Sequence, residues 1–110
     1  SCSVGPCIVG GEVDPFDAMV ETLVNGERRQ YFNNSDMVFS FGEYLEHLSR
    51  DFTFYPGDMI SGGTAAGTAA DSAPLGDDGI PDNDTFLNPG DTVEIRSPGI
   101  GSLSASVVSA

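Results

Sequence analysis

The chain has 110 residues, with 17 acids against four arginines and no lysine, and a formal net charge of -13. Such a surface repels nucleic acid and anionic membranes, and no run approaches the ~18 apolar residues needed to span a bilayer. The length suits one domain, or part of one, with a modest core. Acids spread along the whole chain, unbalanced by lysine, match a halophilic protein whose carboxylates are screened by surrounding ions; an acidic, cation-binding protein is the competing reading. Ser1 follows no basic-plus-apolar leader and reads as a cut or processed start. Cys2 and Cys7 are the only cysteines and His47 the only histidine. Two cysteines this close make neither a disulfide framework nor a four-ligand zinc site. They read as free thiols in an intracellular, cytoplasmic protein.

Residues 1–18 carry Gly5-Pro6, Gly10-Gly11 and Asp14-Pro15 and read as loop, with one short strand near Cys7–Val9. From Ala18 the period becomes two: Met19, Glu21 and Leu23 alternate with Val20, Thr22 and Val24, the pattern of a strand. Asn25-Gly26 is a strong hairpin signal, because both positions tolerate positive φ. The return strand is expected over about Glu27–Phe32, with Arg28-Arg29 as solvated cross-strand partners of acids such as Glu21. After the polar turn Asn33–Asp36, Ser40 and Glu43 form a capping box. Phe41, Tyr44, Leu45 and Leu48 then fall on one helix face. That helix is expected to end near Arg50, with His47 off the apolar stripe and on the surface.

Tyr55-Pro56-Gly57-Asp58 and Asn88-Pro89-Gly90-Asp91 echo each other. Pro-Gly favours a type II turn with glycine at positive φ, and each turn is expected to launch a strand of one sheet system. The first leads into Met59–Thr68, where an apolar start breaks into three glycines, two threonines and small alanines. Glycine permits sharp turns and close approach, and a threonine hydroxyl donates hydrogen bonds. By composition alone this is a tight connection between packed strands more readily than a ligand loop, and without Gly-Lys-Ser/Thr it is no nucleotide P-loop. The acidic stretch Asp77–Asp84 fails the EF-hand template, since Pro74 and Gly76 fall where ligands belong. It reads as a solvated insertion. Strands over Thr92–Arg96 and Ser102–Val108 close a mainly β chain. Nothing in it supplies a catalytic pair or a metal motif by spacing.

Seven motifs in order span nearly the whole chain: Ser3–Pro6, Val24–Gln30, Asn34–Ser40, Tyr55–Ile60, Gly63–Gly67, Phe86–Glu94 and Ile100–Leu103. Each is weak alone. The series resembles the C-terminal half of the fumarylacetoacetate hydrolase family. The resemblance implies an α+β, mainly β fold, a mixed β-sandwich roll of the family's C-terminal type. One helix lies near residues 41–50, and the roll is incomplete in this chain. Residues 1–110 then form the C-terminal portion of a single catalytic domain.

The resemblance also implies a homodimeric enzyme acting on 2-oxo or 3-oxo acids with Mg²⁺ or Ca²⁺, by C–C bond hydrolysis or a related decarboxylation, isomerisation or dehydration. In the family a Glu-x-Glu pair and an Asp bind the ion, a lysine assists, and all precede the segment matching Ser3–Pro6. This sequence has no Glu-x-Glu and no lysine. The ion's ligands and the catalytic groups are therefore expected outside it, on a missing N-terminal portion or a second chain. What carries over is substrate binding by Gly63 and Thr64, which match the family's Gly-Thr-Pro-Ala-Gly loop. There the threonine hydroxyl and adjacent backbone hold the substrate's carboxylate or oxo oxygen. Ala65 stands where the family has proline. Asn34–Asp36 is expected to be a structural turn, and Ser3–Pro6 to border the site without doing chemistry. The rival reading is a non-catalytic β-module that serves only in assembly.

Overall fold

Asn25 and Gly26 take φ of 53° and 83°. They close a two-residue hairpin between strands β1 (Met19–Val24) and β2 (Glu27–Asn33), as a pair tolerant of positive φ should. The computed structural model describes residues 2–5, 7–11 and 13–109. Strand β3 (Thr92–Ser97) lies on the other side of β1, and β4 (Gly101–Ser106) pairs with β3. The order is β2-β1-β3-β4, antiparallel throughout. The register of β1 and β2 slips at Thr22/Leu23, so that Thr22 faces Gln30, Leu23 faces Arg28, and Arg29 is left as the bulged residue.

The two faces of this sheet differ. Val20 faces Phe32, Val24 faces Val93, and Ile95 faces Leu103, so one face is largely apolar. The other carries Glu21, whose carboxylate lies 3.9 Å from both Arg28 and Arg96, while Arg96 also pairs with Glu94 at 2.8 Å. The expected pairing of Arg28 with Glu21 is present, and the Arg28 guanidinium also sits 5.0 Å above the Tyr31 ring.

The apolar face is only partly covered: Val20, Val24, Phe32, Val93 and Leu103 are half-buried, and Leu23 lies on the other face beside Glu21. Ala18 and Leu23 are the buried core among the described residues, and Ile95 is 42% exposed. The chain exposes 8335 Å², whereas a closed monomer of 11.5 kDa exposes about 5,800 Å² by the usual mass scaling. Its radius of gyration is 16.3 Å, against about 13 Å for a closed domain of similar length. A sheet of this kind is normally packed on a second layer, and here that packing is sparse.

Helix α1 (Phe41–Leu48) is the predicted one, ending two residues before Arg50. Its capping box is complete: Ser40 N–H donates to Glu43 Oε2 at 2.7 Å and Glu43 N–H to Ser40 Oγ at 3.3 Å. His47 is exposed, as its place off the apolar stripe requires. No helix is long and apolar enough to cross a membrane among the described residues.

The echoed turns are built alike. In each, the aspartate N–H donates to the first residue's carbonyl at 3.0 Å, Asp58 to Tyr55 and Asp91 to Asn88. In each, the aspartate carboxylate accepts from that residue's N–H, at 2.8 Å and 2.7 Å. Gly57 and Gly90 take φ of 103° and 101°, the positive values a type II turn demands.

Two expected strands do not form. Residues 59–63 have no ladder partner, and Met59 is 72% exposed. The turn launches an extended segment, but pairing needs a neighbour that the described residues do not offer. Cys7–Val9 is likewise irregular. Its tie to the sheet is a long Cys7 Sγ contact to the Ile100 carbonyl at 3.8 Å.

Candidate functional site

The Gly62–Gly67 loop runs past β2, with a closely packed glycine at each end. A Cβ on Gly62 would sit 3.1 Å from Met37 and from the Phe41 ring. A Cβ on Gly67, at φ 97°, would collide with the Arg29 carbonyl oxygen. The bulge at Arg29 thus places its carbonyl where only glycine fits opposite it. Beyond the loop, Thr68 caps the short helix α2 (Ala69–Ser72), and Asp71 Oδ2 accepts from Gly67 N–H at 2.9 Å.

Between these ends the loop is held by one side chain. Gln30 Nε2 lies 3.1 Å from Thr64 Oγ1, 2.8 Å from the Ala65 carbonyl and 3.3 Å from the Ala66 carbonyl. Gly63, at φ 89°, has open space around it, and Thr64 is exposed. Both border a hollow of about 620 Å³, a size that suits a small organic ligand. Across it stand Asn33, Asn34 and Asp36 on the short 3-10 turn Asn34–Asp36 that leads toward α1. The predicted turn is therefore structural in origin: Asn33 Oδ1 accepts from Ser35 N–H at 2.8 Å, and the Asn34 side chain donates to the Pro15 carbonyl at 3.0 Å. It nonetheless forms a wall of the hollow. Ser3 and Gly5 are exposed and do not line it, and Pro6 lies outside the described residues.

The electrostatics of this hollow are one-sided. Its lining contains Asp36 but no arginine, lysine or histidine. An anionic ligand there meets neutral donors and one carboxylate from these residues. A buried carboxylate needs a compensating charge, and the lining residues do not supply one. A divalent ion does not fit the described residues by themselves: no three His, Cys, Asp or Glu side chains come together. Two acids of Asp77–Asp84 are engaged in local turns, Asp78 Oδ1 accepting from Ile80 N–H at 3.1 Å and Asp82 Oδ1 from Asp84 N–H at 3.0 Å.

Gln30 is the functional residue that sequence reasoning passed over. Its signal was a long polar side chain at a β2 position on the apolar sheet face, opposite Thr22. A half-buried amide in that place requires partners, and the loop supplies them.

Comparison with known proteins gives the family. The sequence profile of the family described as "Fumarylacetoacetate (FAA) hydrolase C-terminal" matches residues 1–108. The oxaloacetate tautomerase YisK of Bacillus subtilis (strain 168) is 37% identical over 109 residues, which cover 97% of this chain and 33% of that protein. The crystal structure of 2-hydroxyhepta-2,4-diene-1,7-dioate isomerase from Mycobacterium marinum superposes with a TM-score of 0.73 at 38% identity, over 94% of this chain and 34% of that one. A maleylpyruvate hydrolase from Sphingobium sp. SYK-6, solved in complex with manganese(II) and pyruvate, superposes with a TM-score of 0.67 at 26% identity, over 86% of this chain and 30% of that one. The chain thus spans about a third of the length of the curated relatives it matches.

Proposed function

This chain belongs to the fumarylacetoacetate hydrolase family, through the family's C-terminal part, and from that premise we propose that it is the substrate-anchoring portion of an enzyme acting on 2-oxo or 3-oxo acids. The observation that carries this reading is the Gly63-Thr64 pair, open to a hollow that holds neutral donors and no cation. In this reading the Thr64 hydroxyl donates to a carboxylate or oxo oxygen of the substrate. Gly63, at positive φ, turns the backbone so that the hydroxyl faces the hollow. The large exposed surface and sparse core support a further polypeptide portion packed against this one, in a family-type homodimer. That portion holds Mg²⁺ or Ca²⁺, and the ion supplies charge stabilisation for an enolate oxygen. The acid/base groups lie there too, and C–C hydrolysis, tautomerisation or a related step is chosen by them.

The test is Thr64→Val, which keeps the shape and removes the hydroxyl. Pyruvate affinity, read by calorimetry on the protein, should fall by about 1–3 kcal/mol, the cost of leaving a ligand's polar atom unpaired. Unchanged affinity with an intact fold would remove the anchoring role. It would favour a β-module that serves assembly alone, a reading that the large exposed surface equally supports.

A further inference from the structure

Gln30 does more than tether the loop. Its side-chain amide faces three oxygens, and two of them are backbone carbonyls, which only accept. The NH₂ end must therefore be the end that faces the loop. The Thr64 oxygen, 3.1 Å away, is then an acceptor toward Gln30 as well. With that lone pair engaged, the hydroxyl proton has to point elsewhere. Its nearest partner among the described residues is the Ala65 carbonyl at 3.3 Å, a long contact to an oxygen that Gln30 already occupies at 2.8 Å. The proton is thus poorly satisfied and directed away from β2.

We infer that Gln30 is a positioning residue that fixes the polarity of Thr64, presenting its hydroxyl as a donor so that the site takes a ligand oxygen that accepts, a carboxylate or oxo oxygen, in preference to a ligand hydroxyl or amine that donates. This deepens the anchoring role proposed for the loop and rests on it. The two are separable, because Gln30 and Thr64 are different side chains on different elements.

The decisive variant is Gln30→Glu. A carboxylate in the same place only accepts, so the Thr64 proton turns toward it and is lost to the ligand. At neutral pH the pyruvate dissociation constant should rise at least tenfold. It should recover as the pH falls and the new carboxyl gains a proton to donate. Gln30→Leu should weaken binding without that recovery, and should weaken it by a smaller factor in a Thr64→Val background, since the polarity effect needs a hydroxyl and only the loop tether remains to be lost. In the wild-type protein, the Gln30 Nε2 proton resonances should shift on titration with pyruvate. If Thr64→Val weakens binding while both Gln30 variants bind pyruvate normally, the polarity role is overturned and the anchoring loop stands. If Thr64→Val and wild type bind alike, or wild type does not bind, both fall together. If the Gln30 variants do not fold, static Gln30 resonances in the wild-type titration overturn the inference.

Discussion

The Asn25 side-chain amide donates to the Asp91 carboxylate at 2.8 Å across 66 residues of sequence. This bond joins two turns. The same Asn25 side chain accepts from Thr92 N–H at 2.9 Å, and its own N–H donates to the Thr92 carbonyl at 2.9 Å. The corner of the β1–β2 hairpin is thereby fastened to the corner that starts β3. Asn25→Gly keeps the positive φ and removes both side-chain bonds. It should lower stability by about 1 kcal/mol, measured as a shift in the urea midpoint. A midpoint equal to wild type would mean that the backbone pairing alone sets the register.

Gly67→Ala should be worse, although it adds a single methyl group. The new Cβ meets the Arg29 carbonyl oxygen, which cannot rotate away as a side chain would, and the residue must hold φ 97°. Loss of about 1–3 kcal/mol is expected from the strained backbone alone. Because the Gln30 contacts share the loop, pyruvate affinity should fall with it. A thermal melt and a pyruvate titration on one preparation check both. Gly63→Ala, where open space surrounds the position, should show the strain without the collision.

Acid should loosen these corners. Asp91 is held below its ordinary 3.8 chiefly by the Asn88 backbone N–H, and then by the Asn25 amide. Glu43 is held below 4.5 by the Ser40 backbone N–H and then its hydroxyl. A carboxyl depressed in the folded state contributes stability that is present above its unfolded value and lost as pH falls through the folded one. Stability should therefore decline from about pH 4.5 downward. Asp91→Asn should flatten that decline. Urea midpoints across this range make the comparison, and an Asp91→Asn slope as steep as wild type would contradict it.

Salt should act in the opposite direction. A net charge of -13 on 110 residues repels itself in the compact state, and ions screen that repulsion. The described ion pairs involve Glu21, Glu46 and Glu94, which leaves most of the acids to solvent. The melting temperature should rise from dilute buffer to molar salt. A melting temperature indifferent to salt would count against high-salt adaptation.

Local chemistry was legible in this sequence, and distant chemistry was not. Asn25-Gly26, the Ser40–Glu43 box and the two Pro-Gly turns are closed by contacts within four residues, so each can be read from its own letters. Met59-Ile60 follows the same kind of turn as Thr92-Val93, yet only the second pair enters a strand. The difference is a neighbouring β1 with a free side, which no local pattern reveals. The Thr64 loop was located by the order of motifs along the chain. What holds it, Gln30 from 34 residues earlier, required the bulge at Arg29 and the approach of Gly67 to be seen together.

The order β2-β1-β3-β4 leaves the sheet with two unlike edges. Past β2 runs the glycine loop, held by the Gln30 amide. At the other end stands β4, Gly101–Ser106, which has no charged residue and no proline, the usual devices that keep an edge from recruiting another strand. Of the two edges, β4 is therefore the one without these devices among the described residues. The guard against self-addition is the like charge of the molecule as a whole. Ions that steady the fold also lower that guard, so the conditions that make a single copy most secure are those in which copies are freest to join edge to edge.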